Sequence, residues 1–207
     1  YPANFPPELL DVINNNKKIC RYIDIPFQHA SNRILKSMRR GIDLKQTEVL
    51  INKIRDKVPN VAIRTSFIVG YPGETEQEFN ELVEFIIKYR FDRVGVFTYS
   101  HEEGTAAYSL KDNVPENVKV QRAEELMRIQ EEISMELNQQ KVGNVYKVII
   151  DSEEGDYFIG RTEYDSPEVD NEVIIKKDDL SHNIISGNFY NIKITDASSY
   201  EISGVLS

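Results

Sequence analysis

The sequence predicts two parts. An α/β region, part of a larger (β/α) barrel, spans residues 1–142, and a small all-β, OB-like barrel spans residues 143–207. Two observations predict this. Strand-like and helix-like segments alternate as far as a long amphipathic helix. After Gly143 the texture changes to five short strand-like runs, separated by polar and glycine-rich turns.

The elements follow in order. Phe5 to Ile13, opened by Pro6-Pro7, reads as a short helix with Leu9, Leu10 and Ile13 on one side. Arg21 to Ile25 is a short β-type run stopped by Pro26. Ser31 is placed to N-cap a helix carrying Ile34, Leu35 and Met38, which ends before Gly41. Leu44 to Val58 is a longer helix, with Leu44, Thr47, Ile51, Ile54 and Val58 on one stripe and Pro59 as its stop.

Val61 to Val69 is the clearest strand, followed by the turn cluster Gly70-Tyr71-Pro72-Gly73. Thr75 to Glu78 is a capping box that opens a helix with Phe79, Leu82, Val83, Ile86 and Tyr89. Arg93 to Tyr99 is a further strand. Pro115 then opens a long helix to about Gln140, with Ala123, Leu126, Ile129, Ile133 and Leu137 in register.

Five strand runs follow: Val145 to Ile150, Tyr157 to Arg161, Glu172 to Ile175, Phe189 to Thr195, and Tyr200 to Val205. In the first part, strand–helix–strand order implies parallel strands with crossover helices. Three strands cannot close a barrel, so this part is expected to be incomplete, with an open edge. A small open α/β sheet is the structural alternative.

Composition bounds the function. Hydrophobic residues make up 40% of the 207, enough for a real core. No apolar run approaches the roughly 18 residues of a membrane span, and no secretory signal pattern is present. The start at Tyr1-Pro2, without Met, fits a piece cut from a longer protein. Cys20 is the only cysteine. It excludes a disulfide within the chain, fits a reducing, cytoplasmic setting, and reads as an ordinary buried thiol. It also excludes a cysteine-ligated metal centre built from this chain alone.

Net charge is −9 and unevenly spread. From Lys141 onward there are 6 Lys/Arg against 13 Asp/Glu, or −7; the first 140 residues carry 19 against 21, or −2. An acidic tail is a poor binder of phosphate backbone and suits a basic partner. The bland alternative is that the surplus acid only keeps a small domain soluble.

Chemistry is expected at the C-terminal ends of the parallel strands. The first end offers Gln28 and His29, which could read hydroxyl or carbonyl groups of a ligand, or satisfy backbone groups in a tight turn. The second holds Arg64, Ser66, Ile68 and Gly70. Arg64 lies in a strand that otherwise looks buried and needs a partner: a ligand carboxylate, or an internal acid such as Asp24. Gly70 and Gly73 permit close approach to a ligand, or merely form a turn. The third end offers Phe97, Thr98 and Tyr99, aromatic surface and hydroxyls suited to a nucleobase, with His101 and Glu102 as a conceivable acid/base pair.

Read together, three segments resemble the methylthiotransferases of the radical S-adenosylmethionine (SAM) superfamily: Tyr22 to Gly41 (YIDIPFQHASNRILKSMRRG), Ile63 to Phe79 (IRTSFIVGYPGETEQEF) and Phe97 to Tyr108 (FTYSHEEGTAAY). They are similar to the fourth, fifth and sixth strand regions of that barrel. Tyr1-Pro2 with Phe5 to Leu10 resembles the exit from its third strand, and the β-rich tail resembles a TRAM domain. Within the family, the Gln28-His29-Ala30-Ser31 run and the segment Gly160 to Val173 (GRTEYDSPEVDNEV) are closer to the branch that modifies an aspartate of small-subunit ribosomal protein twelve than to the branch that modifies a tRNA adenosine. A binding-only ribosome or RNA module is the reading from a different class.

The resemblance implies a SAM-dependent radical reaction at the aspartate β-carbon, with two 4Fe–4S clusters in the full-length protein. The cysteines that hold both clusters are missing here, so the chain alone is expected to bind neither and to be inactive. The resemblance further implies a SAM site in which Gln28 and His29 lie near the ribose or substrate, and Arg64 and Ser66 near the carboxylate. Ile68, with Gly70 after it, would pack on adenine, which Phe97, Thr98 and Tyr99 would also contact. It implies a basic ribosomal protein as partner of the acidic tail, with neither membrane nor nucleic acid engaged. Ser66 stands where the superfamily's GxIxGxxE pattern has its first Gly, and Glu74 lies one residue late, so Glu74 is expected to serve the N-terminus of the next helix instead.

Overall fold

The computed structural model describes residues 2–177 and 184–207. Tyr1, which opens the first segment of the resemblance, lies outside the described residues. By contacts the chain divides into two compact units: Tyr1–Ile19 with Ile23–Gln130, and Cys20–Tyr22 with Glu131–Ser207.

The first unit holds the alternating elements. They are α1 (Glu8–Asn15), β1 (Tyr22–Asp24) from Ile23 onward, α2 (Asn32–Ser37), α3 (Leu44–Lys57), β2 (Ala62–Val69), α4 (Glu76–Tyr89), β3 (Arg93–Thr98) and the start of α5 (Glu116–Gln139). The strands form one sheet in the order β1-β2-β3. β2 and β3 run parallel, from Arg64 opposite Arg93 to Val69 opposite Thr98. The β1 side joins through Ile25 N–H to Arg64 O (2.9 Å) and a parallel bridge of Gln28 with Phe67. The expected partial, open sheet of parallel strands is what forms.

Strand geometry separates the two faces. On β2, Ile63, Thr65, Phe67 and Val69 are buried, while Arg64, Ser66 and Ile68 between them are half-buried. The buried face packs into an aromatic cluster: Phe67 meets Phe85 and Phe91 with centroids 6.1 and 6.0 Å apart, and Phe27 meets the same two rings. These separations suit edge-on and tilted ring pairs.

Helix boundaries follow side-chain chemistry. Both Asp43 before α3 and Thr75 before α4 make full capping boxes, with Gln46 and Glu78 respectively. Ser31 precedes α2 but makes no capping bond; its hydroxyl donates to Glu78 Oε1 instead, at 3.0 Å. α1 starts at Glu8 rather than Phe5, after a short 3-10 turn at Pro2–Asn4. Cys20 is exposed, which corrects the buried reading: it sits in the turn before β1, outside any apolar face.

The second unit contains a closed barrel in the order β4-β5-β6-β8-β7, built from β4 (Val145–Glu154), β5 (Tyr157–Arg161), β6 (Glu172–Lys176), β7 (Phe189–Ala197) and β8 (Glu201–Leu206). All neighbours are antiparallel except β6 with β8. Its core alternates along each strand: Val148 and Ile150, Val173 and Ile175, Ile192 and Ile194, with Phe158 and Ile202. Gly160 and Gly204 continue that inward alternation on β5 and β8. A Cβ on Gly160 would lie 2.3 Å from Ile149 O, and one on Gly204 would lie 2.5 Å from Ile192 Cγ2. The barrel is too narrow there for any side chain. Among the described residues, no helix is long and apolar enough to cross a membrane.

Candidate functional site

At the C-terminal ends of the three parallel strands lies a cavity of about 520 Å³. Six predicted residues line it: Gln28 after β1, Ser66 and Ile68 on β2, and Phe97, Thr98 and Tyr99 at the end of β3. The strand twist and register converge them, because Ser66 and Ile68 stand opposite Gly95 and Phe97. Phe97 is 58% exposed, an apolar ring presented rather than packed.

Gln28 is the unusual backbone in this set. Its φ is +76°, a region that non-glycine residues rarely adopt. It is held there from both sides: its N–H donates to Ser66 O and its carbonyl accepts from Ile68 N–H, each at 2.9 Å. Its side-chain amide reaches Ser66 Oγ at 3.4 Å. Backbone strain held by such bonds clusters at functional sites.

Three predicted residues do not line the cavity. Arg64 lies two residues before Ser66, roughly 6.6 Å back along the strand, and pairs with Asp24 at 2.8 Å. The internal acid is therefore a partner of this arginine. His29 is 1% exposed and turned inward; its Nδ1 accepts from Ser31 N–H (2.9 Å), so its Nε2–H donates to Glu74 Oε2 (3.3 Å). Gly70, at φ +74°, is closely covered by Lys119, whose Cγ would sit 2.2 Å from an added Cβ. Its close approach is to a protein side chain.

Sequence reasoning missed other lining residues: Arg40, Ser37 and Met38 from the segment after β1, Tyr71 from the turn after β2, and Ser100 and Thr105 beyond β3; Glu102, read as a conceivable acid/base partner of His101, also lines it. Arg40 is the lining guanidinium, and its Nη2 also donates to Pro26 O (3.1 Å). The signal for it was the basic pair Arg39-Arg40 directly before Gly41, read only as a helix end. His101 does not pair with Glu102. Its Nδ1 lies 3.2 Å from Tyr99 Oη, and Glu102 accepts from Ser100 Oγ at 2.6 Å.

Burial and the nearby Asp112 push the Tyr99 phenol above its usual range, with Lys119 partly opposing. Tyr71 and Tyr99 pack edge to face, centroids 5.3 Å apart. Burial alone would lower the Lys119 ammonium, but Asp112 at 2.7 Å and Glu116 at 3.4 Å outweigh it and raise it, so Lys119 is a fixed cation.

The second unit has its own cleft of about 350 Å³, on the barrel surface beside β5 and the loop before β6. Asp151, Glu154, Glu168, Asp170 and Glu172 line it, with Arg161 paired to Asp151. Five carboxylates against one guanidinium make it strongly acidic.

Comparison with known proteins agrees with this layout. The family model of the Radical SAM superfamily matches residues 2–86, and that of the TRAM domain matches residues 142–206. The chain is 54% identical over 204 residues to the ribosomal protein uS12 methylthiotransferase RimO of Cytophaga hutchinsonii, covering 99% of this chain and 46% of that protein. It is 52% identical to the protein of the same name in Christiangramia forsetii, covering 99% of this chain and 45% of that one. The chain thus spans about half the length of the curated relatives it matches. In fold it is similar to the radical SAM enzyme coproporphyrinogen III oxidase, HemN, of Escherichia coli, with a TM-score of 0.54 at 18% identity, over 65% of this chain and 31% of that one. With parallel strand exits around one cavity and a closed five-stranded barrel, the chain is similar, over nearly its whole length, to about half the length of the radical SAM methylthiotransferases of the RimO type.

Proposed function

We propose that this chain is the later part of an enzyme that methylthiolates the β-carbon of an aspartate in a basic small-subunit ribosomal protein, by radical SAM chemistry in the cytoplasm. The observation that carries the reading is the convergence of six strand-end residues on one cavity, of a size that suits a nucleoside. The names of its relatives supply the reaction and the ribosomal substrate.

SAM fits the residues present. Ile68 and Phe97 offer apolar surface to adenine, and Gln28, Ser66 and Thr98 offer hydrogen bonds to ribose and base. The methionine carboxylate falls to Arg40, which lines the cavity, rather than to Arg64, which is engaged by Asp24. Glu102 is placed to accept from the methionine ammonium. When bound and reductively cleaved, SAM supplies a 5′-deoxyadenosyl radical able to take hydrogen from the aspartate β-carbon. This chain's own work is orientation: the doubly bonded Gln28 backbone fixes one wall, and the packed Tyr71 and Tyr99 rings exclude water from another.

The iron–sulfur clusters do not fit this chain. Each is held by several thiolates, and Cys20 is the only cysteine. Their ligands belong to a part of the full-length protein outside these residues, and the chain alone is inactive. The acidic cleft and the net −7 of the tail support a basic protein as the docked partner.

The test is mass spectrometry of the small-subunit ribosomal protein from cells lacking the full-length gene. The methylthio-aspartate is expected to disappear and to return on complementation. Its persistence in the deletion strain would refute the proposal.

A further inference from the structure

Backbone hydrogen bonds of Gln28 with Ser66 and Ile68 join the exit of β1 to β2. A buried charged network adds side-chain ties among the strand exits. Glu74, in the turn after β2, has a side chain fully shielded from solvent, yet it accepts from three directions. Its Oε2 receives Gly70 N–H at 3.0 Å and His29 Nε2–H at 3.3 Å; its Oε1 receives Arg122 Nη1 at 2.7 Å. Arg122 lies on α5 and is itself buried. One turn earlier on that helix, Lys119 covers Gly70 and donates to Tyr99 O at 3.4 Å.

These bonds tie together all three exits. His29 directly follows Gln28, Gly70 follows β2, and Tyr99 follows β3. A buried carboxylate is tolerated only with its charge paired and its lone pairs filled, and Glu74 meets both conditions. We infer that Glu74 and Arg122 are positioning residues: neither lines the cavity, and they hold the exits of β1 and β2 in the register that forms the nucleoside cavity. This inference rests on the nucleoside reading above and adds to it the part of the molecule that shapes the site.

Glu74→Gln is a demanding substitution here. Both carboxylate oxygens face donors, so whichever way the amide is turned its NH2 meets another donor. Arg122→Met removes the charge, whereas Arg122→Lys keeps one donor for Oε1.

The experiment uses the full-length protein containing this chain, with its clusters in place, and S-adenosylhomocysteine as the calorimetric probe. Glu74→Gln and Arg122→Met are expected to weaken binding about tenfold, the scale of one lost hydrogen bond to a charged group. Arg122→Lys is expected to recover most of the affinity. Ile54→Ala, in the core of α3 and away from the cavity, serves as a control that lowers the melting temperature with affinity unchanged. If Glu74→Gln does not fold, the double variant Glu74→Gln/Arg122→Met, which leaves no lone buried charge, carries the test and is expected to bind as weakly. Wild-type affinity in the folded single or double variants would overturn the positioning role. So would an affinity loss in Ile54→Ala equal to theirs, since only general destabilisation would then be at work. Failure of the unsubstituted protein to bind the probe is a different result: it removes the nucleoside reading itself, and this inference with it.

Discussion

Two arginines near the strand ends have different fates, and chain position decides between them. Arg64 points from mid-strand and meets Asp24; Arg40 comes from the segment after α2 and lines the cavity. Their chemistry is identical, so a strand pattern alone could favour the wrong one. Arg40→Ala in the full-length protein is expected to weaken SAM binding by about 2 kcal/mol, the scale of a charge-assisted bond. Arg64→Ala is expected to change it by less than about 0.5 kcal/mol while lowering stability. Equilibrium dialysis with SAM checks both, and the reverse order would return the carboxylate to Arg64. His29 teaches the same lesson: its place beside Gln28 suggests a ligand contact, but the reversal of direction at Gln28 turns the imidazole into the protein.

At the scale of elements, the N-terminus of α4 is the most heavily charged joint. Burial would raise the Glu78 carboxyl, but bonds from Arg33, from the Thr75 N–H and hydroxyl, and from Ser31 outweigh it and bring it down to about 2. In an unfolded chain a glutamate titrates at about 4.3. A depressed folded pKa gives stability that is present above the unfolded value and lost as pH falls toward the folded one. Because Arg33 is 58% exposed, solvent screening reduces the gain to on the order of 2 kcal/mol. Glu78→Gln is expected to lose that amount at neutral pH and to flatten the stability curve between about pH 5 and pH 2, read by urea titrations across that range. An unchanged acid limb would show that the pair contributes nothing. In the barrel, Gly160→Ala is expected to cost about 3 kcal/mol, because its methyl would meet backbone at Ile149 that cannot move without opening β4 from β5. A thermal melt equal to that of the parent chain would contradict the close approach.

For the whole molecule, charge is unevenly distributed, and the proposed basic partner rests on that distribution. The acidic surplus lies in the tail, and the barrel collects five carboxylates at one cleft. Glu154→Lys with Glu172→Lys is expected to weaken binding of the basic ribosomal protein about tenfold at low salt, with a smaller difference at high salt. Titration at two ionic strengths checks this, and equal affinity for parent and variant would place the docking surface elsewhere. Both barrels were legible from pattern: period-two runs between turns for the small one, alternating strands and helices for the partial one. Six of the nine residues read as site candidates line the cavity, because parallel strand ends gather function. That the other three do not was not legible, since burial of His29, pairing of Arg64 and coverage of Gly70 all depend on segments distant in sequence.

The sequence alone determined the class of both parts, the order of their strands and helices, the family resemblance and the absence of cluster cysteines. Those properties reside in local periodicity, turn chemistry and residue identity, which a linear chain expresses directly. Only the tertiary structure decided which polar side chains face the cavity and which are consumed internally. Glu74 shows why: its donors come from residues 29, 70 and 122, so its role exists only once β1, β2 and α5 have packed together. A buried charge is defined by what surrounds it, and that is a property of packing rather than of spacing.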